Sequence, residues 1–292
     1  MKNFHQLAGE FTVQRVELAE MGPVRAVVRV ESTYARSTLL LEYILYAGFD
    51  QVVLRVTVDW HERMKLLKLA FPANLDAPGA TYEIPFGAIE RPVNGEEEPG
   101  HGWVDVSGRQ RGSQALGGLA LLNDGKYSFD VQGSTLSLTV LRSPAYTHHF
   151  PYQLEAEKDY RVTDQGEQRF TLALVPHAGS WRSAALARLA AELNQPPAAL
   201  QTSFHAGPLD QNVSFVSVRP DNILVSAFKQ AEDGDALILR VFEATGVKTL
   251  ADIELPQWGR KLTMEFNPAE IKTLRISRNL IEPVEETNLL ED

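Results

Sequence analysis

The sequence predicts a mainly β protein, and three observations support this fold class. Apolar residues alternate with polar residues in many short runs, as expected for strands that bury one face. Clusters of glycine, proline, asparagine and aspartate separate these runs and mark turns. A parallel α/β sheet requires helices between its strands, and the sequence shows no such alternation of helical segments with these runs. Antiparallel sandwich architecture is therefore favoured over repeated βαβ units.

The strand pattern is clearest between Gln51 and His61. Its apolar face carries Val52, Leu54, Val56, Val58 and Trp60. The same alternation recurs at 127–131, 136–140 and 170–174, with turn signals at 123–125, 132–134 and 164–166. Each run predicts one strand with a buried face.

One segment departs from this pattern and predicts a single amphipathic helix from Trp181 to Leu193. Its apolar residues follow helical spacing, and Pro196 and Pro197 stop it. Strand alternation resumes after Phe204. We therefore predict a larger β domain at residues 1–200, a small β-sandwich at 201–282, and a frayed acidic tail at 283–292.

Composition narrows the possible partners. The chain has 292 residues, no cysteine and a net charge of −10. This acidic balance, without any run of lysine or arginine, argues against nucleic acid and against an anionic membrane surface. No apolar run is long enough to span a bilayer. The absence of cysteine and of a signal-like start predicts a cytoplasmic location.

A metal site is the first chemistry to consider. Asp59 and His61 share one strand face and could both ligate zinc. Catalytic zinc needs three protein ligands and structural zinc four. No further histidine lies at a spacing from Asp59 and His61 that is typical of a zinc-binding motif. His148 and His149 are adjacent, so on a strand they point to opposite faces. We expect no metal ligands and a polar strand face instead.

A pair of carboxylates for glycoside hydrolysis is the second possibility. The chain contains 38 acidic residues, so the sequence alone gives no reason to prefer one pair of carboxylates over another. The acidic residues considered are Glu83, Glu90, Glu96, Glu97, Glu98, Asp105, Asp124 and Asp130. Residues 96–98 are interpreted as a solvated loop. No Gly-x-Ser-x-Gly elbow or phosphate-binding glycine loop occurs, so neither a nucleophilic serine of that kind nor nucleotide chemistry is supported.

A polar set near two strand ends remains as the candidate binding site. The turn carries Asn123, Asp124, Lys126 and Tyr127, and Arg142 ends a later strand. Arg142 continues the apolar face of the preceding run, so it should point inward, toward a ligand or toward Asp124 or Asp105 in an ion pair. Trp103, in a long weakly patterned region, could stack on a sugar or pack against the core.

At these residues the sequence resembles the C-terminal β region of glycoside hydrolase family 38 α-mannosidases. The resemblance extends in order along nearly the whole chain. The segments that carry it are 58–62, 66–68, 82–87, 90–92, 103–107, 121–127, 141–144, 174–179, 227–233, 240–246 and 270–274.

This resemblance implies a galactose-mutarotase-like supersandwich followed by a small β-sandwich. It also implies an incomplete enzyme, because the family's aspartate nucleophile and zinc ligands come from an N-terminal catalytic domain that nothing here matches. The chain would supply scaffold and one edge of an α-mannoside cleft, and would be inactive alone. Its partners would be that catalytic domain and the substrate, and an exposed docking face could drive self-association. The substrate-binding candidates are Arg142, Asn123, Asp124, Lys126, Tyr127 and Trp103.

Two other functions stay open at this level. A stand-alone carbohydrate-binding β module would need an exposed aromatic platform that includes Trp103. An aldose-epimerase-like enzyme, by analogy of fold alone, would need a His/Glu acid–base pair in one cleft.

Overall fold

The computed structural model describes residues 6–146, 153–155, 157–208 and 210–291. The chain divides into two compact units. The first comprises Met1–Tyr82 and Glu90–Ala184, and the second comprises Glu83–Ile89 and Ala185–Asp292. Both are built from antiparallel strands, and one α-helix lies in the described part of the chain. The predicted fold class is confirmed.

Thirteen strands precede the helix. In chain order they are β1 (Thr12–Met21), β2 (Arg25–Tyr34), β3 (Ser37–Tyr46), β4 (Val52–Trp60), β5 (Leu66–Pro72), β6 (Leu75–Ile84), β7 (Gly87–Arg91), β8 (Glu98–Pro99), β9 (Trp103–Gln110), β10 (Leu116–Asn123), β11 (Ser128–Gln132), β12 (Thr135–Arg142) and β13 (Gly166–Ala178).

These strands form two sheets. The larger has nine strands in the order β1-β2-β3-β4-β13-β10-β9-β6-β7, and the smaller has four in the order β5-β12-β11-β8. The main core lies between the two sheets, where Leu54 and Val106 of the larger sheet cluster with Phe129 and Leu138 of the smaller one. Fully burying each such side chain contributes ~1.5–3 kcal/mol. The alternation predicted for β4 is observed, with Leu54, Val56, Val58 and Trp60 buried.

The larger sheet extends beyond the smaller one. Among the described residues, β1 and β2 contribute none to the main core cluster, although Val27 of β2 is buried. Val16 pairs with Val30, and Leu18 pairs with Val28. Across β3 and β4, the register places these pairs on the same face of the sheet as the core residues Leu54 and Val56. In contrast to the buried core residues of β4, Val16 is 63% exposed and Leu18 is 59% exposed. We call these four valine and leucine positions the uncovered face.

The second unit contains the helix and seven further strands. They are α1 (Leu186–Asn194), β14 (Ser217–Arg219), β15 (Ile223–Gln230), β16 (Leu237–Glu243), β17 (Thr249–Leu255), β18 (Arg260–Phe266), β19 (Ile271–Ile276) and β20 (Glu285–Thr287). A three-stranded sheet, β14-β17-β18, and a four-stranded sheet, β15-β16-β19-β20, enclose a core that includes Val241, Ile253 and Phe266.

Three features differ from the sequence-based expectation. The helix begins at Leu186 rather than Trp181, because Ala185 takes a left-handed conformation, with φ of 50°, that interrupts helical geometry. The segment expected to be a frayed tail contains β20, which pairs with β19. A salt bridge between Lys272 and Glu286 accompanies this pairing. The unit boundary falls at Ala184/Ala185, before the helix rather than after it.

Candidate functional site

Asn123 organises the predicted turn from inside the protein. It is the last residue of β10 and is fully buried. Its side-chain oxygen accepts hydrogen bonds from the backbone N–H groups of Gly125 (3.0 Å) and Lys126 (2.8 Å). Its amide nitrogen donates to the carbonyl oxygen of His101 at 2.8 Å. This arrangement is an Asx-type turn, so Asn123 positions its neighbours and offers no polar atom at the surface.

The residues that follow Asn123 reach the surface. Asp124 accepts a hydrogen bond from the backbone N–H of Thr171 at 2.9 Å. The Lys126 ammonium donates to the side-chain oxygen of Gln168 at 2.8 Å. Burial lowers the pKa of Lys126, while Asp164 and Asp124 oppose that effect.

Tyr127 is the most accessible aromatic residue of this turn. Its side chain is 58% exposed. Its ring lies 6.3 Å from the imidazole of the exposed His101, measured between ring centroids. The turn thus presents a phenol and an imidazole side by side, both able to exchange hydrogen bonds with a hydroxylated ligand.

Arg142 lies at the surface, and the expectation that it points inward is wrong. A β-bulge between Thr139 and Leu141 shifts the register of β12 against β5. The extra residue changes which side chains face the core. Val140 and Leu141 are therefore both buried, and Arg142 is exposed. Its backbone N–H donates to a carboxylate oxygen of Asp164 at 3.1 Å.

Trp103 is buried, so it cannot form an exposed platform for a sugar. Its exposed fraction is 0%. Its ring packs against Trp181, with centroids 5.1 Å apart. The alternative of core packing is therefore the observed one. Its indole nitrogen has no hydrogen-bond partner in the described part of the chain.

The predicted turn and Arg142 meet through Asp164. This carboxylate contacts the Arg142 backbone and lies close enough to influence the pKa of Lys126. These contacts and the electrostatic influence of Asp164 on Lys126 link seven residues, of which Arg142 takes part through its backbone N–H: His101, Asp124, Lys126, Tyr127, Arg142, Asp164 and Gln168. We call this set the polar rim. It unites four of the six predicted site residues, excludes the buried Trp103, and is built on Asn123.

The metal-ligand candidates do not form a metal site. Asp59 and His61 contact each other, with a carboxylate oxygen 3.0 Å from the imidazole Nε2. Across the described residues, no group of three or more histidine, cysteine, aspartate or glutamate side chains is placed to hold a metal ion. A zinc centre therefore does not fit the donor set of these residues. His148 and His149 lie outside the described residues.

The acidic segment 96–98 is only in part the solvated loop that we expected: Glu96 and Glu97 are exposed and lie outside any strand, but Glu97 and Glu98 take part in ion pairs. Glu97 and Asp130 both contact the ammonium of Lys68. Burial by itself raises the pKa of Glu97, but hydrogen bonds from Lys68, Ser128 and Thr139 outweigh burial and lower it. Glu98 pairs with Arg91 at 2.9 Å and belongs to β8. Glu97 is thus held as an anion in a structural contact, whereas a general acid needs a raised pKa.

A buried charge pair escaped the sequence-based reasoning. His177 Nε2 lies 2.7 Å from a carboxylate oxygen of Asp105, and both side chains are buried. The sequence feature that could have indicated this pair is Gly118 of β10, which pairs with Ser107 of β9 on one side and with His177 of β13 on the other. A Cβ at Gly118 would lie 2.5 Å from the imidazole, so glycine makes the space for the ring. Burial lowers the pKa of His177, but Asp105 outweighs it and the net direction is upward.

A second missed residue is Glu243 in the small sandwich. It is fully buried and accepts hydrogen bonds from the backbone N–H groups of Thr245, Gly246, Val247 and Ala269. Asn222 donates to it as well, at 2.9 Å. Burial raises the pKa of Glu243, and these hydrogen bonds reverse the direction and lower it. A glutamate at a strand end gives no sequence signal for such a network.

Comparison with known proteins places this architecture in a family. Residues 2–160 match the profile described as "Glycosyl hydrolases family 38 C-terminal domain". Residues 222–292 match "Glycosyl hydrolases family 38 C-terminal beta sandwich domain". A solved structure of a family 38 glycosyl hydrolase from Enterococcus faecalis superposes with a TM-score of 0.76 at 18% identity, over 91% of this chain and 36% of that one. At this identity the superposition supports the fold.

Curated relatives agree with these matches. "Alpha-mannosidase 2C1" of Mus musculus is 36% identical over 222 residues, which cover 72% of this chain and 19% of the relative. "Alpha-mannosidase G" of Dictyostelium discoideum is 30% identical over 300 residues, which cover 90% of this chain and 26% of the relative. The chain thus spans about a fifth to a quarter of their length. It belongs to glycosyl hydrolase family 38 and corresponds to the C-terminal region of that family.

Proposed function

We propose that this chain is the C-terminal, cleft-forming region of a zinc-dependent retaining α-mannosidase that hydrolyses terminal α-mannosides. Family membership and the relatives' names support the substrate class. The observation that carries the proposal is the polar rim, which offers exposed hydrogen-bonding groups without a pair of unengaged carboxylates. Such a surface can bind and orient a sugar but cannot by itself supply a nucleophile and an acid.

Within this proposal, the rim residues divide into those that contact the sugar and those that hold the turn in place. Tyr127 and His101 contact sugar hydroxyl groups, since they are the exposed aromatic side chains of the rim. Lys126 and Asp124 fix the turn through Gln168 and Thr171. Arg142 adds an exposed guanidinium, and its backbone N–H is held by Asp164. A retaining mechanism proceeds through a covalent glycosyl–enzyme intermediate formed on a carboxylate nucleophile. We assign that nucleophile and the zinc ligands to the catalytic region that precedes this part of the relatives.

The principal partner in this proposal is that N-terminal catalytic region. Two observations support it: this chain covers only 19–26% of the curated relatives, and the uncovered face exposes apolar side chains of β1. Exposed apolar patches of this kind commonly mark protein interfaces. We place the protein in the cytoplasm, a location compatible with a chain that has no cysteine to oxidise.

Zinc binding by the isolated chain tests whether the zinc ligands lie in the catalytic region and not in this chain. We expect equilibrium dialysis at micromolar zinc to show no stoichiometric uptake, because Asp59 and His61 are only two donors and the described residues hold no group of three or more histidine, aspartate or glutamate side chains that could bind a metal ion. One zinc per chain, lost in an Asp59→Asn and His61→Gln double variant, would overturn the assignment of the metal to another region.

Sugar binding by the isolated chain tests the rim against the alternative of a stand-alone carbohydrate-binding module. The burial of Trp103 removes the aromatic platform on which that alternative relied. We expect calorimetry with methyl α-mannoside to show no saturable binding below the millimolar range, since one edge of a cleft makes few contacts. Micromolar affinity would favour the stand-alone module.

A further inference from the structure

Between α1 and β14 the chain runs along the surface without regular structure. We call residues 196–207 the exposed segment, because every residue in it is exposed and none belongs to a helix or a strand. Within the described part of the chain, no backbone–backbone hydrogen bond involves these residues. The backbone of the exposed segment can therefore bond to a second molecule that binds it in extended form.

The sequence of the exposed segment favours one class of endoprotease. It contains no lysine, arginine, aspartate or glutamate, and Phe204 is its single aromatic residue. The Phe204 side chain is 105% exposed, and the residue after it is His205 and not a proline. Exposed loops with small and polar residues are preferred places for proteolytic cleavage. The bond between Phe204 and His205 therefore fits a serine protease that cuts after aromatic residues.

Exposure alone does not make a cleavage site in this chain. Phe49 is 62% exposed, but it lies in the short turn between β3 and β4, and its backbone N–H donates to the carbonyl oxygen of Tyr46 at 3.3 Å. Directly beside this turn, Leu45 of β3 pairs with Val52 of β4. The chain there cannot extend into a protease without breaking the pairing of two strands, whereas the exposed segment can.

Cleavage after Phe204 would leave each hydrophobic core whole. The core residues of the first unit all precede the exposed segment, and both sheets of the second unit, β14-β17-β18 and β15-β16-β19-β20, follow it. Burial of apolar side chains is the dominant stabilising contribution to a fold. We therefore expect the parts on both sides of the cut to stay folded.

Two pieces of the second unit lie on the N-terminal side of this bond. One is Glu83–Ile89, in which the Phe86 ring meets the Phe242 ring of β16 edge to face, with centroids 5.2 Å apart. The other is α1, from which Arg188 donates to the carbonyl oxygen of Asp221 at 3.3 Å. The helix and strands β14 and β15 also line a common groove. The second unit is thus built from both sides of the bond, and these contacts can hold the two parts together.

We propose that the exposed segment is a cleavage site at which a serine endoprotease specific for aromatic residues cuts after Phe204, and that the product is a two-chain protein held together within the second unit. The reaction is a hydrolysis. Water adds across the Phe204–His205 peptide bond, the C–N bond breaks, and the products carry a new carboxylate on Phe204 and a new ammonium group on His205. This inference is independent of the proposed function, because it concerns the continuity of the chain and not the polar rim.

Limited digestion of the full chain with chymotrypsin under native conditions tests the site, and mass spectrometry identifies the bond that is cut. We expect the first products to be residues 1–204 and 205–292. Phe204→Ser should slow the first cut by at least about tenfold, because the protease loses the side chain that it recognises. This side chain is fully exposed, so its replacement leaves the fold intact and the comparison valid.

Two controls separate recognition of Phe204 from general exposure. Phe49→Ser changes another exposed phenylalanine and should leave the rate of the first cut unchanged. Trypsin should leave the exposed segment intact, because no lysine or arginine lies between Arg188 and Arg219.

Size-exclusion chromatography of the cut protein tests whether the two parts stay together. We expect one peak that contains both products in buffer, and two peaks in concentrated urea. Phe86→Ala should lower the urea concentration at which the products separate, because it removes the ring that meets Phe242. Leu250→Ala removes an exposed leucine of β17 and should leave that concentration unchanged.

Three outcomes would overturn the proposal. The first is an initial chymotryptic cut outside residues 196–207. The second is an initial cut that Phe204→Ser does not slow. The third is separation of the two products in buffer without urea.

Discussion

Glu243 shows how much one buried side chain can organise at the residue scale. Its carboxylate accepts hydrogen bonds from four backbone N–H groups, which come from two separate turns. Backbone donors that are buried without an acceptor are costly, so the carboxylate satisfies groups that would otherwise oppose folding.

We therefore expect Glu243→Gln to destabilise the second unit by about 3 kcal/mol, because the new NH₂ group faces N–H donors in place of an acceptor oxygen. Urea unfolding of the two proteins measures the difference. Glu265→Gln, at an exposed glutamate paired with Lys248, is the matched control and should change stability little. Equal effects of the two substitutions would contradict the role given to Glu243.

His177 and Asp105 give the first unit a pH-dependent contribution. The folded pKa of His177 is raised, since Asp105 outweighs the effect of burial. The stabilisation is then fully present below the unfolded pKa of about 6.5 and is lost as pH rises through the folded pKa.

The stability difference between the unaltered chain and His177→Gln should accordingly shrink as pH rises from 6 to 9. Urea unfolding at several pH values measures this difference, and NMR titration of the His177 ring gives its pKa directly. A His177 pKa below 6.5 would be incompatible with the buried charge pair.

At the scale of single elements, Gly118 fixes how β9, β10 and β13 pack above the charge pair. A Cβ there would come within 2.5 Å of the His177 ring and 2.7 Å of the Ser107 hydroxyl oxygen. Gly118→Ala should cost about 1–3 kcal/mol, as overpacking does elsewhere, and should return the His177 pKa toward its ordinary value.

Gly125→Ala is the control for this substitution, because a Cβ at Gly125 meets nothing within 4 Å. Thermal unfolding of both variants measures the loss of stability, and NMR titration of the His177 ring in both measures the change in its pKa. If Gly118→Ala leaves the His177 pKa unchanged, the close approach does not hold the imidazole against Asp105.

The elements also show why part of the structure could be predicted and part could not. Strand β4 was predictable because its period-two pattern reflects burial on one face. The orientation of Arg142 was not, because the bulge in β12 changes the alternation without any signature in residue type. Trp103 was ambiguous, since a tryptophan in an irregular sequence pattern can lie in the core or at the surface. The Asn-Asp-Gly turn was predictable, but the depth of Asn123 depends on tertiary packing.

On the scale of the whole molecule, the larger sheet has nine strands and the smaller four, and the uncovered face is exposed within the described part of the chain. Val16 and Leu18 are more than half exposed on an edge strand. A long exposed edge of this kind is prone to association.

We expect the isolated chain to self-associate with rising concentration. A double variant, Val16→Lys with Leu18→Glu, should shift it toward monomer in light scattering, since charges on an edge strand block pairing. Leu250→Lys changes one exposed leucine outside this face and should leave the association unchanged. A monomeric unaltered chain at high concentration would argue against the uncovered face as an interface.

Under the proposed function, the polar rim forms one edge of a sugar-binding cleft, and the chain holds no complete hydrolytic centre. Hydrolysis of a chromogenic α-mannoside by the purified chain, with and without zinc, tests it most directly. We predict no turnover above the rate of buffer in either condition. Zinc-dependent turnover would contradict the account, because it would require a complete site among the acidic residues and histidines that we have assigned to structural contacts.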